Sequence, residues 1–167
     1  MTDTSEIFED VSNPLDCVED ILGNQEWTFT RHHIDELSVQ VKGTLGLYRL
    51  TFVWQEDSSA LQFFCEYDMQ IPSACRDVTA RALCAINERL WLGHFDLPAS
   101  SQTPIFRHTS LFRGWTQTSN ADHVEDLVEI ALETCERYHN LFSMLSSSVA
   151  IDDKVLTLML ADQAGAA

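Results

Sequence analysis

A chain of 167 residues is one domain's worth of sequence, and 45% hydrophobic with 22% charged residues is ordinary for a globular protein. Ten Lys plus Arg stand against 26 Asp plus Glu, a net charge of −16. Such a chain is repelled by phosphate backbones and anionic membrane surfaces, which argues against nucleic-acid and membrane partners. The acidity serves solubility, and it equally suits a surface that receives basic partners.

Residues 1 to 12 read as a polar, acidic tail. "NPLDCVEDILG" then carries helix signals: Asn13 as N-cap, Pro14 at the first helical position, Asp16 in the first turn and Gly23 as the stop. Leu15, Val18 and Leu22 form its apolar stripe. The period next changes from helical to alternating. Trp27 to Arg31 is a candidate edge strand. "LSVQVKG", with Val39 and Val41 on one face, and "YRLTFVW", with Leu50, Phe52 and Trp54, follow it. In "LQFFCEYDMQI", Leu61, Phe63, Cys65, Tyr67, Met69 and Ile71 point one way. Gln62, Glu66, Asp68 and Gln70 point the other, and Phe64 is the one apolar residue among them. This alternation is that of an antiparallel sheet with one face on a core. "QEDSSA" is the polar hairpin loop between the last two runs.

Pro72 ends the third run, and helical spacing returns through Val78, Ala82, Ala85, Ile86 and Leu90, with Gly93 as C-cap. "HFDL" and "PIFRHTSLFRG" read as strands joined by "PASSQT". From Ser119 or Asn120 a long helix places Val124, Leu127, Val128, Ala131, Cys135, Tyr138, Phe142 and Leu145 on one face. Asp122, Glu125, Asp126, Glu129, Glu133 and Glu136 coat the rest. Ser146 to Ser148 break it, and Ile151 to Leu160 form a short last helix before a frayed end at 163–167. The order α-β-β-β-α-β-β-α(-α) is that of a two-layer α+β domain, an antiparallel sheet flanked by helices, over residues 13–162.

Motifs for chemistry are sparse. In "NERLWLGHFDL", Asn87, Glu88 and Arg89 fall in the last helical turns, and His94 and Asp96 share a strand face. No nucleophile accompanies them, so the stretch reads as a corner, helix into strand, with Trp91 and Phe95 packed around it. His32 and His33 are adjacent, and adjacent strand residues face opposite ways; the pair reads as an exposed loop rather than a metal site. His108 reads as a strand residue, not a ligand. His123 and His139 are about 24 Å apart along one helix. Five cysteines without CxxC or zinc spacing read as buried reduced thiols. Phosphate-binding glycine loops, GxSxG and HExxH are missing, so no catalytic residue, metal or cofactor is expected. The N-terminus carries no signal-peptide pattern, and no apolar run approaches the roughly 18 residues of a membrane span. The expectation is a cytoplasmic, non-enzymatic protein.

"NPLDCVEDI", "ALQFFCEYDMQIP", "INERLWLGHFDL", "IFRHTSLFRG" and "VEDLVEIALETCERYHNLF", in this order, resemble a YbjN-type domain, the family labelled bacterial sensory transduction regulators. The short last helix resembles it less. The resemblance implies a twisted antiparallel sheet flanked by helices, similar to type III secretion chaperones. Those are small, acidic, usually dimeric proteins that bind other polypeptides, and no catalytic residue carries over.

Two functional expectations follow. The first is a homodimeric regulator or chaperone-like module that binds a polypeptide through Phe64, Glu66 and Asp68 on the outer sheet face and through Glu129 and Glu133. The second is an anionic-ligand sensor or cryptic enzyme in which Arg49, Arg107 and Arg113 converge, although arginines on an acidic domain more often pair with carboxylates. A subunit that only completes an oligomer is a third.

Overall fold

Asn13 starts the first helix as its sequence indicates. Its side chain accepts a hydrogen bond from the Leu15 N–H, and Pro14 fills the first turn of α1 (Pro14–Asn24); such a cap contributes about 1 kcal/mol. The stop differs from expectation. Gly23 lies inside the helix, and the chain turns at Glu26, whose φ is +58°. The Trp27 N–H reaches the Leu22 carbonyl and the Glu26 N–H reaches the Gly23 carbonyl, each at 3.0 Å. These paired bonds satisfy carbonyls that a helix end otherwise leaves bare. The turn's position is set by where Trp27 packs on the core.

The computed structural model describes residues 13–112, 117–147 and 151–164, without the side chains of 117–119 and 162–164. The expected tail at 1–12, residues 165–167 of the expected frayed end at 163–167, and Arg113 lie outside the described residues, whereas 163 and 164 continue the last helix. Among the described residues are six strands: β1 (Phe29–His33), β2 (Glu36–Lys42), β3 (Leu47–Gln55), β4 (Ala60–Tyr67), β5 (His94–Asp96) and β6 (Ile105–Leu111). They form one sheet in the order β1-β2-β3-β4-β6-β5, with every neighbouring pair antiparallel.

The candidate edge strand is real but shifted from Trp27–Arg31 to Phe29–His33. It hairpins onto β2 with Arg31 opposite Leu37 and His33 opposite Glu36. His32 and His33 are therefore exposed strand residues, not loop. β4 ends at Tyr67, so Met69 and Ile71 lie past it. Ile71 is still buried, because its N–H bonds to the Gln102 carbonyl.

The alternation places Leu37, Val39, Tyr48, Leu50, Phe52, Leu61, Phe63, Cys65 and Tyr67 on one buried face. Helices α1, α2 (Arg76–Asn87), α3 (Gln117–Ser146) and α4 (Asp153–Ala164) form the second layer. α3 begins at Gln117, ahead of the expected Ser119 or Asn120, and its apolar stripe is buried from Val124 to Leu145 as the spacing indicates. α4 packs Leu156 and Leu160 inward, and it is tied to α2 by Arg81–Asp153 at 3.0 Å.

The left-handed backbone at Glu26 is strained for any residue with a Cβ. Glu26→Gly is expected to raise stability by about 0.5–1 kcal/mol, read as a higher urea midpoint.

Candidate binding face of the sheet

The corner at 87–97 is structural. α2 ends at Asn87, so Glu88 and Arg89 lie beyond it rather than in its last turns. The Asn87 amide donates to the Phe95 carbonyl at 3.0 Å and accepts from the Phe95 N–H at 2.8 Å. It acts as the edge partner that the three-residue β5 otherwise lacks, satisfying backbone groups at a sheet edge. Arg89 donates to the Leu160 carbonyl at 2.7 Å and so fastens α4. Gly93 is no helix cap; at φ +65° it runs beneath the Phe106 ring into β5. Phe95 is buried as expected, whereas Trp91 is 79% exposed rather than packed into the corner. Asp96 does not meet His94. It accepts from Arg107 at 2.8 Å across the sheet.

The strand register defines the face opposite the helices. Thr30 and His32, Ser38 and Gln40, Arg49, Thr51 and Val53, Gln62, Phe64 and Glu66, Arg107 and Thr109, and His94 point outward. They are half-buried or exposed. Phe64 is central, with Val53 on the neighbouring strand and Leu111 exposed at the rim. The Arg107 guanidinium sits 5.3 Å from the Phe64 ring centroid, a cation–π contact of about 0.5–1 kcal/mol at an open site. Glu36, Glu66 and Asp96 balance Lys42, Arg49 and Arg107, so the charged side chains in the outward register cancel. The net −16 resides on the rest of the molecule.

The residues read from the sequence as sites divide between two surfaces. Phe64 and Glu66 lie on the outer face, and Asp68 is exposed just past the end of β4. Glu129 and Glu133 are exposed on α3, in the helical layer. Arg49 and Arg107 share the outer face but stand two strands and two residues apart, about 12 Å between backbones, and Arg107 is engaged by Asp96. Arg49 lines three adjoining concavities, one of which it shares with His32, Glu36, Ser38, Thr51, Phe64 and Glu66. Among the described residues no three His, Cys, Asp or Glu side chains are grouped to hold a metal ion.

Sequence reasoning missed the polar seam under α3. The Tyr67 hydroxyl donates to the Cys135 carbonyl at 2.7 Å, and Tyr48 shares a 3.0 Å hydrogen bond with His139 Nδ1. Burial, with the Glu136 carboxylate adding to it, pushes the Tyr48 phenol far up. Glu136 accepts from the Leu45 N–H at 3.0 Å, which ties α3 to the β2–β3 turn. The one-dimensional signal was only that Tyr48, Tyr67 and Cys135 sit on apolar faces; nothing in the pattern singled out His139 or Glu136.

Taken together, this is the class of two-layer α+β domain whose described helices all lie on one side of an antiparallel sheet, leaving the other side uncovered by them. The chain belongs to the YbjN family, described as "Putative bacterial sensory transduction regulator", whose model matches residues 14–144. A structural relative is the crystal structure of YbjN from E. coli, described as "a putative transcription regulator". It has a TM-score of 0.54 and 13% identity over 75% of this chain and 91% of that one. No curated protein matches the sequence. Among the described residues no helix is long and apolar enough to cross a membrane.

Two predictions follow from this geometry. A Cβ at Gly93 would strike the Phe106 ring and approach the Arg107 carbonyl to 2.8 Å. Gly93→Ala is therefore expected to cost about 1–3 kcal/mol in urea denaturation, through positive φ and overlap together. The second concerns pH. Burial lowers the His108 pKa from 6.5, with His123 and His94 adding to it; burial also lowers that of His123, against Asp126. The unfolded chain takes up these protons near the ordinary value and the folded chain only below it, so stability falls as pH drops through that window. The urea midpoint is expected to decrease between about pH 7.5 and about pH 5.5, and His108→Gln to shrink the decrease.

Proposed function

We propose that this protein is a non-enzymatic, cytoplasmic regulator that works by engaging another polypeptide on the outer face of its sheet. One observation carries the proposal: on a chain of charge −16, the outward strand residues of the face left open by the helices have cancelling charges around a half-buried Phe64, with Glu26 and Asp68 at the rim. A weakly charged, partly apolar surface in an acidic molecule binds protein with less repulsion than the helical layer presents. The same acidity keeps nucleic acid and anionic membranes outside this reading. The likeness to type III secretion chaperones, which are usually dimeric, adds a homodimer to the proposal.

The anion-sensor alternative has less support. Arg107 is engaged by Asp96, which leaves Arg49 as the described arginine facing a concavity.

The test is affinity purification from the native cell, quantified by mass spectrometry, with sedimentation velocity on the purified chain. Phe64→Asp is expected to reduce a stoichiometric partner by at least about tenfold, as for an aromatic at the centre of an interface. The double variant Glu129→Lys/Glu133→Lys is expected to leave it in place. Partner retention by Phe64→Asp, with an unchanged melting temperature, would overturn the outer face. Loss only in the α3 double variant would move the site to the helical layer.

A further inference from the structure

Cys65 in the middle of β4 and Cys135 in the middle of α3 are 70 residues apart in sequence, yet their sulfurs meet at 3.5 Å. Both are free thiols and both are fully buried. A disulfide holds its sulfurs at about 2.05 Å, so rotation about the two Cα–Cβ bonds has roughly 1.5 Å to close. The surroundings favour that approach over separation. The Tyr67 hydroxyl, two residues along β4, already holds the Cys135 carbonyl at 2.7 Å. Ala131 and Tyr138, on the same stripe of α3, are buried on either side. The other three cysteines are placed differently: Cys84 is exposed, Cys17 half-buried, and Cys75 sits in the turn before α2.

We propose that Cys65 and Cys135 are an oxidant-sensitive thiol pair that closes to an intramolecular disulfide and fastens α3 to the sheet. The oxidant class is a small peroxide. Hydrogen peroxide oxidises one thiol to a sulfenic acid and leaves as water. The second thiol then attacks that sulfur, forms the S–S bond and expels a second water. Two thiols and one peroxide thus become one disulfide and two waters.

Access sets the rate. The thiolate is the reactive form, and the hydrogen bond to Cys135 together with burial raises the Cys65 pKa well above its ordinary value. The closed state is therefore slow to react, and oxidation proceeds as α3 lifts from β4 in local opening. The pair converts a transient opening of the helical layer into a covalent lock. The outer face, where a partner is proposed, has no part in it.

The experiment treats the full-length native chain with hydrogen peroxide, traps remaining thiols with iodoacetamide in denaturant, and maps linkages by mass spectrometry. Trypsin leaves Cys65 and Cys75 in one peptide, residues 50–76, so a second cut after Glu66 separates them. The expected result is a linked Cys65–Cys135 peptide two hydrogens lighter than its reduced parts. It should be absent from Cys135→Ser, with a melting temperature about 5–10 °C higher in the oxidised protein, because the linkage restricts a long loop when unfolded. Alkylation of both Cys65 and Cys135 after full oxidation of Cys84 would overturn the proposal, as would linkage of Cys135 to Cys75 instead. Mapping on the unmodified chain decides the outcome even if Cys135→Ser fails to fold.

Discussion

The seating of α3 on the sheet is the constraint on which the rest of this structure depends. Its apolar stripe supplies Ala131, Cys135, Tyr138, Leu141, Phe142 and Leu145 to the core, all buried. Phe142 lies 5.0 Å from Tyr67 and 5.2 Å from Phe95 by ring centroids, and Phe95 reaches Phe106 at 5.6 Å and Tyr138 at 5.7 Å. Aromatic groups at such spacings and tilts add specificity to the area they bury. One helix thereby joins β4, β5 and β6, and its polar pins from Tyr67, Tyr48 and Glu136 fix its position along the sheet.

Using one face of the sheet for this purpose leaves the other free. α1 packs against α3, and α4 against α2 and α3, so the helices cover one another and the same side of the sheet. The Asp and Glu residues on the solvent side of α3 then concentrate the acidity there. The strand residues of the outer face are left charge-balanced around Phe64 and Arg107, with Glu26 and Asp68 at the rim. The division into an acidic helical layer and a less charged sheet layer follows from the topology.

Local signals were legible where one residue's chemistry decides the outcome. Asn13 caps α1 because its side chain reaches the Leu15 N–H. The alternation in β4 survives because a one-residue slip would place Phe63 and Tyr67 in water. Signals failed where a distant packing partner chooses among local options. Gly23 could have ended α1, but Trp27 docks on the core and moves the turn to Glu26. Gly93 has the positive φ that a cap requires, yet it serves the passage beneath Phe106. Trp91 looked like a core residue by type, and the early end of α2 turned it outward. Six strands rather than five arise because β1 needed β2 as a partner, and Phe29–His33 carries no clear alternation of its own.

The sequence by itself determined the element types, the buried face of each strand and the long helix, the acidity, and membership of a family whose residues run in order along the chain. Those properties are local or additive, set by hydrophobic period, caps and charge. Tertiary structure alone decided that Asp96 meets Arg107 rather than His94, that Asn87 closes the edge of β5, and that Cys65 and Cys135 touch. Each of these depends on which element packs against which, over separations that periodicity cannot encode, because contact there is set by the shared burial of whole faces.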